Sequence, residues 1–236
     1  MSYFVTGTDT GVGKTLISCA LLQAFARQGK RVAGMKPIAA GCNADGQNED
    51  ALQLRAAGNV SVSYESVNPF CFPWPVAPHI AALRAGVIID LSMIEKSYRE
   101  LSALADVVIV EGAGGLLVPL NEQQDGADLV RQLALPVILV AGMRLGCLNH
   151  ALLTVEAVTA RGLALAGWVA NMAETGMESA EDNIAALQQR IAAPLLGVVP
   201  HLPQPDAQIA SAHLRVERLD RGLNGWTGRK LEIWPH

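Results

Sequence analysis

Residues 6 to 15 read Thr-Gly-Thr-Asp-Thr-Gly-Val-Gly-Lys-Thr, and few folds can use such a stretch. A short β-rich run, Tyr3-Phe4-Val5, enters it, and a helical pattern starting near Lys14 leaves it. Strand, glycine loop and helix in that order make a phosphate cradle. Glycines let the backbone approach the anion with successive N–H groups pointing inward. The positive end of the following helix adds to the field. Lys14 can reach the terminal phosphates, and the Thr15 hydroxyl can ligate Mg²⁺. The spacing departs from the common form, because five residues separate Gly7 from Gly13.

The remainder of the 236-residue chain is compatible with a large α/β unit around that loop. Half of the residues are hydrophobic and 17% are charged, which is a globular composition. A net charge of −4 and the lack of a basic stripe give no reason to expect nucleic-acid binding. The N-terminus enters a strand directly, without the basic start and apolar run of a signal peptide. Apolar runs are short and interrupted by Pro, Gly or charge, so no membrane span is expected. Cys19, Cys42, Cys71 and Cys147 are scattered and form no C-x-x-C pair, which argues against a disulfide framework or a zinc site. A cytoplasmic location is the simplest expectation.

Along the chain, Leu16, Cys19, Ala20, Leu22 and Ala26 fall at helical spacing over residues 15 to 28, with Gly29 as a stop. Residues 31 to 36 predict a second strand, ended by Pro37, with Lys36 at its C-terminal end. Glu49 and Asp50 stand at a helix start, either complementing its dipole or turning toward a metal. Residues 59 to 89, with Pro69, Pro73, Pro75, Pro78, Trp74 and His79, read as irregular, and a segment of that length is more often functional than idle, although His79 by itself reads as a hydrogen-bonded structural histidine. Ser92 and Glu95 suggest a capping box for a helix with the stripe Leu91, Ile94, Tyr98, Leu101 and Leu104. The run Asp106 to Glu111 is a buried strand with an acid at its end, followed by Gly112-Ala113-Gly114-Gly115. That acid has the position of a Walker B carboxylate.

Further on, the pattern predicts a helix over 125–134, a strand over 136–141, a helix ending at Arg161, a strand over 165–171, a helix over 178–192 and a strand over 195–199. Residues 206 to 215 have a weaker helical pattern. The turn at 145 to 149 opens its helix with free N–H groups suited to an anion. Cys147 and His150 read as packing and turn residues there, since no third partner for a nucleophile is visible. Strands alternating with helices predict an α/β fold: a P-loop NTPase-like parallel sheet with helices on both faces, as a single domain over residues 1–220. Residues 221–236 form a tail with no assignment. The phosphate loop, Lys36, Glu111 and Asn171 all follow strands, which places them on one edge of the sheet. Guanine-specific switches commonly carry Asn-Lys-x-Asp after a late strand. Asn171-Met172-Ala173-Glu174 lacks that pattern, so ATP is the expected nucleotide.

Five segments in register carry a resemblance. Gly7-Thr8-Asp9-Thr10 through Gly13-Lys14-Thr15, Met35-Lys36-Pro37, Glu111 to Gly115, Arg144 to His150 and Gly167-Trp168-Val169-Ala170-Asn171 together resemble dethiobiotin synthetase. The resemblance runs from about residue 3 to residue 203. It implies an ATP-dependent ligase acting on 7,8-diaminononanoate and CO₂ with Mg²⁺, as a homodimer with a shared active site. It implies catalytic roles for Lys36 and Lys14, and a phosphate loop of Gly11, Val12, Gly13, Lys14, Thr15 and Leu16. Thr15, Asp50 and Glu111 match Mg²⁺ ligands. Glu111, Gly112, Ala113 and Gly114 match nucleotide contacts, as do Asn171, Met172, Pro200, His201 and Leu202 around the adenine. Thr10, Lys36 and Ala40 match contacts to the diamine. Gly146, Cys147, Leu148 and Asn149 match the helix start that receives the carboxylate of the neighbouring subunit's substrate.

The chain departs from the family pattern at three places: Ala40 has no hydroxyl, Gly11 has no acid, and Met172 replaces a polar residue. Two other readings share the P-loop, a MinD- or ParA-like regulatory ATPase and a corrinoid amidoligase. The first carries an additional Lys or Arg early in the loop, which Thr10 and Gly11 do not supply, and the second continues into a glutamine-hydrolysing domain.

Overall fold

The computed structural model describes residues 1–219. The expected boundary at 220 and the tail beyond it lie outside the described residues. Six strands form one parallel sheet. In chain order they are β1 (Ser2–Gly7), β2 (Val32–Met35), β5 (Val107–Gly115), β6 (Val137–Gly142), β7 (Leu165–Asn171) and β8 (Leu195–Val199). The spatial order is β2-β5-β1-β6-β7-β8, with β1 in the middle. A separate parallel pair, β3 (Ile38–Ala40) and β4 (Phe70–Phe72), lies beyond the C-terminal end of β2.

Side-chain alternation along a strand sends neighbours to opposite faces, and this divides the core. Phe4, Met35, Val108 and Val110 pack with α4 (Pro78–Ala85), α5 (Leu91–Leu104) and α6 (Gly126–Leu133). Tyr3, Val5, Ile109 and Val140 pack on the other face with α1 (Lys14–Arg27), α2 (Glu49–Ala57) and α9 (Ala207–Ala212). Around Trp168 a third cluster seats α7 (Cys147–Ala160) and α8 (Ala180–Arg190). Cys19 is a core residue, as its helical position predicted, and burial pushes its thiol up to about 12. Among the described residues no helix is long and apolar enough to cross a membrane.

The structure corrects several local expectations. Residues 59–89 are not irregular throughout: they hold the short helix α3 (Tyr64–Val67), β4 and α4. Too few residues lie between the prolines for a periodic pattern to show. The helix α5 is capped by Asp90, whose carboxylate accepts from Ser92 N–H at 2.8 Å, and not by a Ser92–Glu95 box. Asp is as strong a cap as Ser and stands directly before the buried Leu91. Glu95 instead accepts from Gln132 and pairs with Arg99. A reciprocal capping box does occur, between Asp125 and Asp128 at the start of α6. In the α5 stripe, Leu91, Ile94 and Leu101 are buried while Leu104 is exposed. The glycines after Glu111 belong to the strand: β5 continues to Gly115, which pairs with Gly7 beyond an irregularity in the register.

Candidate active site

The chain leaves β1 at the centre of the sheet and turns into α1 through Gly11 (φ 75°) and Gly13 (φ 85°). Both torsions lie in the left-handed region that favours glycine. No side chain caps α1, and its first turn holds no acid, so its terminal N–H groups face the loop. Gly13 also sits against Asn171 at the end of β7. A methyl group at Gly13 would meet Asn171 Nδ2 at 2.2 Å. Asn171 is 2% exposed and donates from Nδ2 to the Val12 carbonyl at 2.8 Å. The loop is thus held by a side chain from the end of β7, two strands away from β1 in the sheet.

Beside the loop lies a cleft of about 680 Å³. It brings together Thr10, Gly11, Gly13, Lys14, Thr15, Lys36, Ala40, Asp50, Glu111, Ala113 and Gly114, all named from the sequence. Three elements supply its charges. Lys36 stands one residue past β2, Glu111 lies on β5, and Asp50 sits in the first turn of α2. Asn48 caps that helix and so aims Asp50: its side chain accepts from Ala51 N–H at 3.3 Å and donates to the Gly41 carbonyl at 2.9 Å. Lys36 Nζ bridges the two acids, at 2.5 Å from Glu111 Oε1 and 3.0 Å from Asp50 Oδ2. Thr15 Oγ1 donates to Glu111 Oε1 at 3.0 Å.

Burial pulls the Lys36 ammonium down, but the Glu111 and Asp50 carboxylates overcome this and hold it above its usual range. Burial likewise opposes ionisation of Asp50, and the Lys36 cation more than offsets this, keeping the carboxyl below its usual range. Lys14 has the opposite balance. Its burial and the nearby Lys36 cation lower it to about 8, against the pull of Glu111, Asp50 and Asp9. Its Nζ donates to the Asp9 carbonyl at 3.0 Å.

A divalent cation fits this set of oxygens. Glu111 is 1% exposed, and its Oε2 is buried without a hydrogen-bond partner, while Oε1 already serves Lys36 and Thr15. Among the described residues no group of three or more His, Cys, Asp and Glu is arranged as a metal cage. Two carboxylates and a hydroxyl instead match Mg²⁺, which keeps waters and substrate phosphates in its shell.

Other predicted residues lie outside the cleft. Gly112 packs against the Phe4 ring behind it, and the half-buried Leu16 packs against the edge of the core. Met172, Pro200, His201 and Leu202 gather past the ends of β7 and β8. Met172 N–H donates to the Val199 carbonyl at 2.9 Å, and His201 Nδ1 lies 3.1 Å from the Ala173 carbonyl. The Gly146–Asn149 turn opens α7 on the outside of the molecule, with Leu145 fully exposed and the Cys147 side chain buried. His150 is exposed and Cys147 packs in the core, as expected for packing and turn residues. His79 lines a separate cavity with Leu83 and Asn121.

Sequence reasoning missed the apolar wall of the cleft, formed by Ile38, Ala39, Pro75, Val76, Ala77 and Val118. The cluster of prolines was the one signal pointing toward it.

Comparison with known proteins agrees with this geometry. A protein-family profile described as an AAA domain matches residues 1–208. Solved structures of MinD share the fold at low identity. MinD from Pyrococcus horikoshii, with Mg-ADP, has a TM-score of 0.55 at 16% identity, covering 99% of this chain and 100% of its own. The Aquifex aeolicus MinC:MinD complex has a TM-score of 0.52 at 16% identity, covering 100% and 99%. Two curated relatives are much nearer. The ATP-dependent dethiobiotin synthetase BioD of Nitrosospira multiformis is 55% identical over 217 residues, 92% of this chain and 96% of the relative. That of Aromatoleum aromaticum is 54% identical over 218 residues, 91% and 97%. Identity at this level over nearly the full length of both proteins, with a lengthened phosphate loop set beside Lys36 and Glu111, means that the chain belongs to the dethiobiotin synthetase family.

Proposed function

We propose that the chain closes the ureido ring of dethiobiotin, converting 7,8-diaminononanoate, CO₂ and ATP to dethiobiotin, ADP and phosphate. The observation that carries this reading is the pair of cations facing one cleft: Lys14 on the phosphate loop and Lys36 held between two acids. One amine adds CO₂ and loses a proton to give a carbamate. A carbamate is a poor electrophile, so its oxygen takes the γ-phosphoryl group of ATP. The second amine then attacks the carbamate carbon, phosphate leaves and the ring closes.

Phosphoryl transfer depends chiefly on positioning and on charges already in place. Lys36, kept protonated by its acids, provides a fixed cation where carbamate and phosphate meet. Lys14 follows the transferred group, and the amides of residues 11–16 hold the β- and γ-phosphates. Thr15, Asp50 and Glu111 would hold Mg²⁺, which supplies charge neutralisation between the phosphates. The wall of Ile38, Ala39, Ala40, Pro75, Val76 and Val118 suits the aliphatic chain of the diamine, with Thr10 at the amine end. Without a hydroxyl, Ala40 contributes only packing. Asn171 retains its amide oxygen for the adenine amine, beside Met172 and Pro200-His201-Leu202.

The active unit is a homodimer in this reading. The Gly146–Asn149 helix start lies outside the lining of its own cleft and suits the carboxylate of the partner's substrate. A monomer that sediments alone and remains fully active refutes the shared site.

The decisive assay incubates the protein with ATP, Mg²⁺, bicarbonate and 7,8-diaminononanoate. ADP release is expected only when bicarbonate and diamine are both present. Release indifferent to the diamine sinks the reading.

A further inference from the structure

The phosphate loop holds one acidic side chain, Asp9, at its tip. A carboxylate beside a site built for a triphosphate works against binding unless its charge is met. The structure meets it from another element. Arg144, between the end of β6 and the start of α7, donates from Nη2 to Asp9 Oδ2 at 2.6 Å. The other Asp9 oxygen accepts from Thr10 N–H at 2.7 Å, and its carbonyl accepts from Lys14 Nζ at 3.0 Å. Arg144 also reaches Glu174 Oε1 at 3.5 Å, in the segment after β7. Its own carbonyl accepts from Cys147 N–H at 2.9 Å, within the turn that opens α7. Asp9 is thereby tied to the framework by a side chain that does not itself line the cleft.

We propose that Arg144 is the counter-ion that lets Asp9 stand at the mouth of the phosphate loop, and so a positioning residue for ATP. Its guanidinium cancels the Asp9 charge on the side away from the phosphates and leaves the Asp9 main chain and Thr10 in a fixed place. Without Arg144, the Asp9 carboxylate keeps only the Lys14 cation to offset it, which the triphosphate also needs, and its repulsion falls on the incoming triphosphate. Both partners are part-exposed, Arg144 at 39% and Asp9 at 46%, so the effect is modest and sensitive to salt. This inference rests on the reading of the cleft as an ATP site, and it makes no use of the diamine.

The test measures Mg·ATP dissociation constants by calorimetry without diamine, and kcat separately. Arg144→Ala is expected to weaken ATP about threefold to fivefold at low ionic strength, with a smaller deficit at 0.5 M salt. The loss falls on the nucleotide constant rather than on kcat. Asp9→Asn placed on top of Arg144→Ala is expected to restore the affinity, and Arg144→Lys to retain it. An Arg144→Ala protein with wild-type affinity overturns the proposal. So does a double variant as weak as the single one, because the arginine would then be a steric anchor and not a counter-ion. If Arg144→Ala does not fold, the Asp9→Asn background and Arg144→Lys still decide the question. Failure of ring closure with intact ATP binding would count against the ligase reading and leave this one standing.

Discussion

Two helices of this molecule begin alike and end up in different surroundings. The helix α1 starts after Gly13 at φ 85°, and α7 starts after Gly146 at φ 93°. Each follows a strand of the main sheet, and neither has a side-chain cap. Local backbone chemistry therefore offers an anion-seeking N-terminus at both places. At α1 the chain completes the site itself: Asn171 fills the space beside Gly13, Lys14 is only 7% exposed, and two acids and Lys36 line the cleft. At α7 nothing lies within 4 Å of a methyl group built on Gly146, and the neighbouring Leu145 is fully exposed. The same turn is a finished site in one setting and an open surface in the other. In the proposed dimer, the open one is the terminus that a second subunit would complete.

Substitutions at the two termini are expected to fail in different ways. The largest effect belongs to the inner site. Lys36→Ala is expected to lower kcat by about 10²-fold or more while ATP still binds, as for loss of a transition-state charge donor. It also leaves Glu111 buried without its cation, a cost of roughly 3 kcal/mol in stability. The rate is therefore measured below the lowered Tm, and an unchanged kcat would reduce Lys36 to a structural ion pair.

Gly13→Ala comes next. The added methyl group collides with Asn171 Nδ2 at 2.2 Å and must adopt a left-handed torsion. ATP binding is expected to weaken about tenfold or more, about 1.4 kcal/mol. Gly146→Ala meets no atom and bears only the torsional strain, roughly 1 kcal/mol. It is expected to raise the KM for the diamine about threefold to fivefold and leave the ATP constant alone. If both alanines weakened ATP equally, the contrast between the termini would collapse.

The smallest effect is a proton. Lys14 is lowered from 10.5 to about 8 by burial first and by Lys36 second, so in the free enzyme its ammonium is lost as pH rises through about 8. A bound triphosphate favours the charged form and draws the proton back. ATP binding is therefore expected to take up close to one proton at pH 9 and almost none at pH 6.5. Calorimetry in buffers of different ionisation enthalpy reads this directly, and equal uptake at both pH values would contradict the assignment.

The legible part of the chain was the part written in local pattern. Val107 to Val110 is apolar without a break and forms a strand buried on both faces. The Gly-Lys-Thr run opens α1. Lys36, Glu111 and Asn171 could be placed on one sheet edge because parallel strands all point the same way. The cap of α5 was misplaced by two residues because Asp90 and Ser92 are both good caps, and packing of Leu91 chose between them. The stretch from Tyr64 to Phe72 was illegible because a four-residue helix and a three-residue strand are too short for a period to repeat in them.

By itself the sequence determined the parallel α/β architecture, the phosphate loop and the set of charged residues available to it, because periodicity and glycine placement act over a few neighbouring residues. Tertiary structure alone decided how those charges meet. Lys36, Asp50 and Glu111 come from three separate elements, and only sheet order brings Lys36 Nζ within 3.0 Å of both acids. The same order sets Arg144 against Asp9, 135 positions away along the chain. Electrostatic coupling depends on distance in space, and no local pattern records that distance.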